Sequence, residues 1–150
     1  MQIQIQTKFH GKLTFEPDQT WNFPKGIPGF EDDKQFILLP IEGNDIFRVL
    51  QSTQTPTAAF IVVNPYTLIE DYSFDIDEPT IDLLSIESEQ DIFVLSVITL
   101  KEPFDSSTIN LQAPLIFQAK TKKARQMILN DKKFSLRHPI GTQTAEKGGI

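Results

Sequence analysis

The sequence predicts a mainly β fold: a small antiparallel β-barrel, closed or partly open, with one short helix. Three observations lead there. Short apolar runs recur between Pro, Gly and Asn/Asp breaks, and the ten Pro sit almost entirely in those breaks. Several runs alternate apolar and polar residues, the period of a half-buried strand. Twelve Phe, against two Tyr and one Trp, bring buried area without a polar group to satisfy.

The elements follow in order. Ile3, Ile5, Thr7 and Phe9 alternate with polar neighbours and predict a first strand, turned at His10-Gly11 into a second carrying Leu13 and Phe15. Trp21 and Phe23 predict a brief strand before the loop 24–30. The runs 36–41 and 46–50, with Gly43-Asn44 between them, read as a hairpin. The runs 58–63 and 92–100 are nearly continuous and rich in β-branched residues, so both are expected to be central strands covered on each face. The runs 115–119 and 127–129 predict a last pair, linked through a Lys-rich turn at Lys122 and Lys123. One helix is expected: Asp77 or Glu78 caps it, Pro79 suits its first turn, and Ile81, Leu83 and Leu84 give it an apolar side ending near Ile86. Residues 1–140 therefore form one domain, and 141–150, which have no apolar period, are expected to be a flexible tail.

The net charge of -6 conceals a split. Residues 1–119 hold 6 Lys/Arg against 18 Asp/Glu, whereas residues 120–150 hold 8 against 2. No basic residue lies between Arg48 and Lys101, a span that contains Glu70, Asp71, Asp75, Asp77, Glu78, Asp82, Glu87, Glu89 and Asp91. Such a face repels nucleic acid and attracts basic proteins, or simply keeps a surface solvated. The basic end has a bland reading as well, as Lys that discourages sheet-to-sheet aggregation. Cysteine is absent, which excludes disulfides and thiolate chemistry. The N-terminal alternation does not resemble a signal peptide, and no run approaches the roughly 20 apolar residues of a membrane span. A soluble, cytoplasmic protein is expected, without membrane association.

Catalytic constellations are missing. His10 and His138 stand at a turn and before Pro139, with no metal-type partner nearby in sequence. No carboxylate is isolated in an apolar run, and Asp91 reads as a surface acid at a strand end. The Gly26-Ile27-Pro28-Gly29 loop lacks the Lys-Ser/Thr of a phosphate loop, and no helix follows it. The expectation is a protein that is not an enzyme and uses no metal or cofactor. A barrel holding a small ligand is the alternative, and a hydrolase would need two inward-facing acids in one cleft.

Specific strings add a resemblance. Gly26-Ile27-Pro28-Gly29-Phe30, Phe36-Ile37-Leu38-Leu39-Pro40, Leu50-Gln51-Ser52 and Ala59-Phe60 stand in an order similar to FliW proteins. So do Ile61-Val62-Val63-Asn64-Pro65-Tyr66, Asp71-Tyr72-Ser73-Phe74 and Asn110-Leu111-Gln112-Ala113-Pro114, then Gln126-Met127-Ile128-Leu129 and Arg137-His138-Pro139. Their order and spacing over residues 3–140 carry the resemblance to the FliW flagellar assembly factors. Ala124 stands where the family usually has Gly, and Gln118 where it commonly has Asn.

The resemblance implies a monomeric regulator with two protein partners, flagellin and the translational repressor CsrA. Flagellin held in the cytoplasm occupies it and leaves CsrA free. Export of flagellin releases it to bind CsrA, antagonising the repressor from outside its RNA-binding face. Direct contact with nucleic acid is not implied. Candidate partner-binding residues are the exposed groups of the matched strings. Asn64, Tyr66, Glu70, Asp71 and Tyr72 flank one loop, and Tyr favours interface hot spots, although both rings could anchor that loop to the core. Asp75, Asp77 and Glu78 are the electrostatic candidates, with helix capping as the competing role. Phe30 is a contact or a plug in the barrel mouth. Asn110 and Gln112 are contacts or turn-formers.

Overall fold

The computed structural model describes residues 2–140; the expectation of a flexible tail at 141–150 lies outside them. The N-terminal alternation forms β1 (Ile3–Gln6), paired antiparallel with β2 (Lys12–Phe15). Between them the Thr7 hydroxyl donates to the Gly11 carbonyl at 2.7 Å and accepts the His10 N–H, and Gly11 takes a positive φ that few other residues tolerate. The chain continues through β3 (Thr20–Asn22), β4 (Gln35–Ile41), β5 (Asn44–Ser52) and β6 (Ala59–Val63) to helix α1 (Glu78–Leu84). It ends with β7 (Ile92–Thr99), β8 (Thr108–Ile109), β9 (Leu115–Gln118), β10 (Lys123–Gln126) and β11 (His138–Pro139).

Pairing runs β7-β6-β5-β4-β3-β10-β9 and returns to β7, so these strands close a small barrel. Every pair in the ring is antiparallel except β10 with β3, which meet in parallel at Lys123 and Asn22 alone. The Asn22 N–H bonded to the Lys122 carbonyl at 2.8 Å reinforces that narrow seam. β8 and β11 extend the sheet beyond the far end of β7, and the β1–β2 hairpin stands apart.

Strand alternation sorts the apolar residues into three cores. Trp21, Phe23, Phe36, Leu50, Val62, Leu95, Leu115 and Phe117 pack together as the barrel interior. Ile37, Leu39 and Val49 point the other way and pack with Phe15 of the hairpin. Val63, Ile98, Ile109 and Ile116 form the third core with Leu84 of α1, Tyr72 and Phe134. The interior is therefore filled by side chains, which disfavours the ligand-holding barrel.

The mouth of the barrel is closed by the Gly26–Phe30 loop, but through Ile27. Ile27 is 3% exposed and joins the interior, while Phe30 keeps 38% exposure with its ring edge-on to Phe60. Gly26 has φ of +66°, and a Cβ there would come within 2.6 Å of the Glu31 backbone.

Three expectations need correcting. The strand that pairs with the 115–119 run is Lys123–Gln126, not 127–129: Lys122 takes a left-handed turn, and Ala124 then faces the interior beside Phe117. Only one small residue of that strand is inward-facing, so its apolar signal was faint. Residues 127–129 still run alongside the sheet, with Met127 and Leu129 N–H groups bonded to the Pro114 and Gln112 carbonyls. The two-residue strands β8 and β11 were too short for any period to reveal. Finally, β6 and β7 are only half-buried over Ala59–Ile61 and Ile92–Val94. At the latter, no strand of the described residues lies on the side away from β9.

The basic residues of 120–137 are largely committed locally. Lys122 sits over Trp21 at 4.1 Å, Lys120 pairs with Asp91 at 3.5 Å, and Arg125 donates to the Thr80 hydroxyl. Gln118 ties β9 to the helix end by donating to the Ser85 carbonyl.

Candidate functional site

The acidic stretch folds as one wall of a groove on the outside of the barrel. After β6, Asn64 caps a short 3-10 turn, its side-chain oxygen accepting the Tyr66 N–H at 2.9 Å, with Pro65 fixing the first position. From Asp71 to Asp77 the chain alternates: Asp71, Ser73, Asp75 and Asp77 are exposed, while Tyr72, Phe74 and Ile76 turn inward. Asp77 then caps α1 by accepting the Thr80 N–H at 2.9 Å, Glu78 favours the positive end of the helix, and Ser85 closes it in a left-handed conformation. This brings Ile81 and Ile86 opposite the start of β7.

The resulting groove has a volume of about 570 Å³. Its apolar lining comes from Phe74, Ile76, Ile81, Ile86 and the Ile92-Phe93-Val94 start of β7; Asn64, Tyr66, Asp75 and Glu89 supply the polar groups. A second hollow of about 410 Å³ shares Asn64, Phe93 and Val94 and extends past Asp45, Ile46, Arg48 and Thr67. Among the described residues, Arg48 is the one basic residue lining either hollow.

Of the residues nominated from sequence, Asn64, Tyr66 and Asp75 meet in this groove. Tyr66 is 48% exposed, and its partial burial raises the phenol pKa. Glu70, Asp71, Asp77 and Glu78 are exposed on the segments leading to and from it. Tyr72 is a correction: it is 3% exposed, and its hydroxyl donates to the Leu111 carbonyl at 2.6 Å, so it anchors the loop instead of facing a partner. Burial, and secondarily Tyr66, push its pKa well up. Asn110 lies elsewhere, accepting the Gln112 and Ala113 N–H groups at 3.1 and 3.0 Å, the turn-forming role. Gln112 and Phe30 also stand outside the groove.

Sequence reasoning missed the apolar floor, although the Tyr72, Phe74, Ile76 alternation was a readable signal. It also missed Glu89 and Asp45 as groove acids. Among the described residues, no three His, Asp or Glu side chains converge as metal ligands, and no helix is long and apolar enough to cross a membrane. The buried carboxylate, Asp33, accepts from the Thr55 hydroxyl at 3.1 Å and stands in none of these hollows.

Fold and site together define a small β-barrel with a filled interior and an acidic, apolar-floored groove outside. Comparison with known proteins places it further. The family model described as FliW protein matches residues 4–140. The chain is 44% identical over 137 residues to the flagellar assembly factor FliW of Bacillus licheniformis, covering 91% of this chain and 96% of that one. It is 42% identical over 140 residues to the protein of the same name from Bacillus subtilis, covering 93% and 98%. A crystal structure of the flagellar assembly factor FliW superposes with a TM-score of 0.88 at 35% identity, covering 92% of this chain and 96% of that one. The chain belongs to the FliW family.

Proposed function

We propose that this protein serves flagellar assembly as a cytoplasmic, monomeric binding protein without catalytic activity or cofactor. It holds flagellin inside the cell and, once flagellin is exported, captures the repressor CsrA and antagonises it without occupying its RNA-binding face. Flagellin synthesis then follows export. The reading needs neither nucleic acid nor membrane contact.

The observation that supports it best is the Lys/Arg-free acidic stretch folded as the wall of an apolar groove. A repressor that holds RNA phosphates is basic. An acidic surface steers such a partner and raises its association rate, while apolar side chains supply affinity after contact. Once docked, Asp71, Asp75 and Glu78 bring negative potential near the RNA path, and charges within a Debye length of about 8–10 Å weaken RNA binding without touching it.

Copurification from cells with open and with blocked flagellar export tests the scheme. Blocked export should enrich flagellin on the protein and open export should enrich CsrA; an unchanged partner in both conditions would overturn it. Weakening of CsrA–RNA affinity should itself fade as salt rises. Antagonism indifferent to salt would replace the electrostatic step with a conformational one.

A further inference from the structure

Backbone hydrogen bonding leaves the barrel wall incomplete at the groove. In the β7–β9 ladder the Ala119 N–H donates to the Asp91 carbonyl at 2.8 Å, and Phe93 and Leu95 stand opposite Phe117 and Leu115. Antiparallel alternation therefore directs the peptide groups of Phe93 and Leu95 toward β9 and those of Val94 away from it. On that other side, β6 meets β7 only at Val62–Val97 and Val63–Ser96.

Continued register would set Pro65 opposite Val94. Pro65 has no N–H, and it turns off into the 3-10 segment, where its carbonyl accepts the Leu68 and Ile69 N–H groups at 3.1 and 2.8 Å. The Ile92 N–H closes locally on the Glu89 carbonyl. Among the described residues, the N–H and carbonyl of Val94 and the carbonyl of Ile92 thus face the groove with no strand beside them, at residues that line it.

We propose that this edge accepts a short, extended, cationic segment of a partner protein as an added strand. This deepens the partner-binding reading and rests on it. An unpaired edge calls for an extended chain, because only that geometry repeats the ladder bonds that Val94 lacks. An added strand presents side chains alternately to two faces. One set reaches the apolar floor at Ile76, Ile81 and Ile86, and the other reaches the rim, where Asp75, Glu89 and Asp45 outnumber Arg48. That imbalance selects Lys or Arg at the outward positions. The edge is two residues long, so the bonds fix register and direction while the floor and rim provide selectivity.

The test uses the full chain, 15N-labelled, and the probe acetyl-Lys-Val-Lys-Val-Lys-amide, with its Glu-Val counterpart and a form N-methylated at every residue as controls. Saturating Lys-Val peptide should slow hydrogen exchange of the Val94 amide by about tenfold or more. Both control peptides should bind at least about tenfold more weakly, as should the Lys-Val peptide to the D75N/E89Q variant, whose amide spectrum should otherwise persist. Unchanged Val94 exchange, or equal binding of the N-methylated peptide, would overturn the added strand. If that happens while flagellin or CsrA is still captured, the inference alone falls; if neither is captured, the partner-binding reading falls with it.

Discussion

The inside of the barrel and the groove on its outside share β7, yet they are built to opposite rules. Inside, Phe93 stacks on Phe117 at 4.8 Å, Trp21 meets both rings edge-on, and Phe23 packs edge-on to Phe36 and Phe117. These side chains fill their space, and Phe93 and Leu95 are paired through their backbone with Phe117 and Leu115. Outside, the same strand presents half-buried Ile92 and Val94 and an uncompleted edge, rimmed by carboxylates. Apolar groups and peptide groups left without partners cost stability unless something covers them. The interior face of β7 is thus closed by packing, while its outer face at the groove leaves Ile92 and Val94 half-buried.

Substitutions should separate the two regions. The largest effect belongs to the interior: Phe117→Ala should lower unfolding free energy by about 3–5 kcal/mol, because the surrounding strands cannot collapse into the cavity. Denaturant titration checks this, and a loss confined to binding would mean that the interior is not the stabilising core. Next is the anchor beneath the groove. Tyr72→Phe leaves the buried Leu111 carbonyl without its donor, at a cost of about 1–3 kcal/mol.

That anchor also predicts a pH dependence. The folded state holds the Tyr72 proton above the ordinary phenol pKa of 10.0, so the unfolded chain releases it first. The stability gained from the raised pKa is complete below about pH 10 and is lost as pH climbs toward the folded value. Melting temperature should fall over that window in the wild type and fall less in Tyr72→Phe; identical slopes would remove Tyr72 as the cause. A smaller effect is expected at the helix cap, where Asp77→Ala should cost about 1 kcal/mol by removing the carboxylate acceptor of the Thr80 N–H and leaving only the Asp77 carbonyl.

Much of the ring was legible in the residues. The Gly43-Asn44 turn set the β4–β5 hairpin, and the Asp77, Pro79 and Ile81 pattern set α1 almost to its ends. Strand β10 was not, because Lys123 and Arg125 flank its single inward alanine. For the site, the matched strings pointed to Asn64 and Tyr66 and the acidic stretch to Asp75, which meet in one groove, while Tyr72 was misplaced because period-two alternation sends it inward with Phe74 and Ile76. The open edge at Val94 could not be read locally. It depends on where a neighbouring strand stops, and the one visible hint was Pro65 directly after β6.

Capture of a basic partner would depend most directly on the acidic rim. Binding of CsrA to the combined Asp71→Lys, Asp75→Lys and Glu78→Lys variant should be measured by titration calorimetry beside the wild type. The expected result is an affinity lower by at least about tenfold with melting temperature lowered only slightly, since these side chains are exposed and only Glu78 supports the start of α1. Full affinity in a well-folded variant would contradict it.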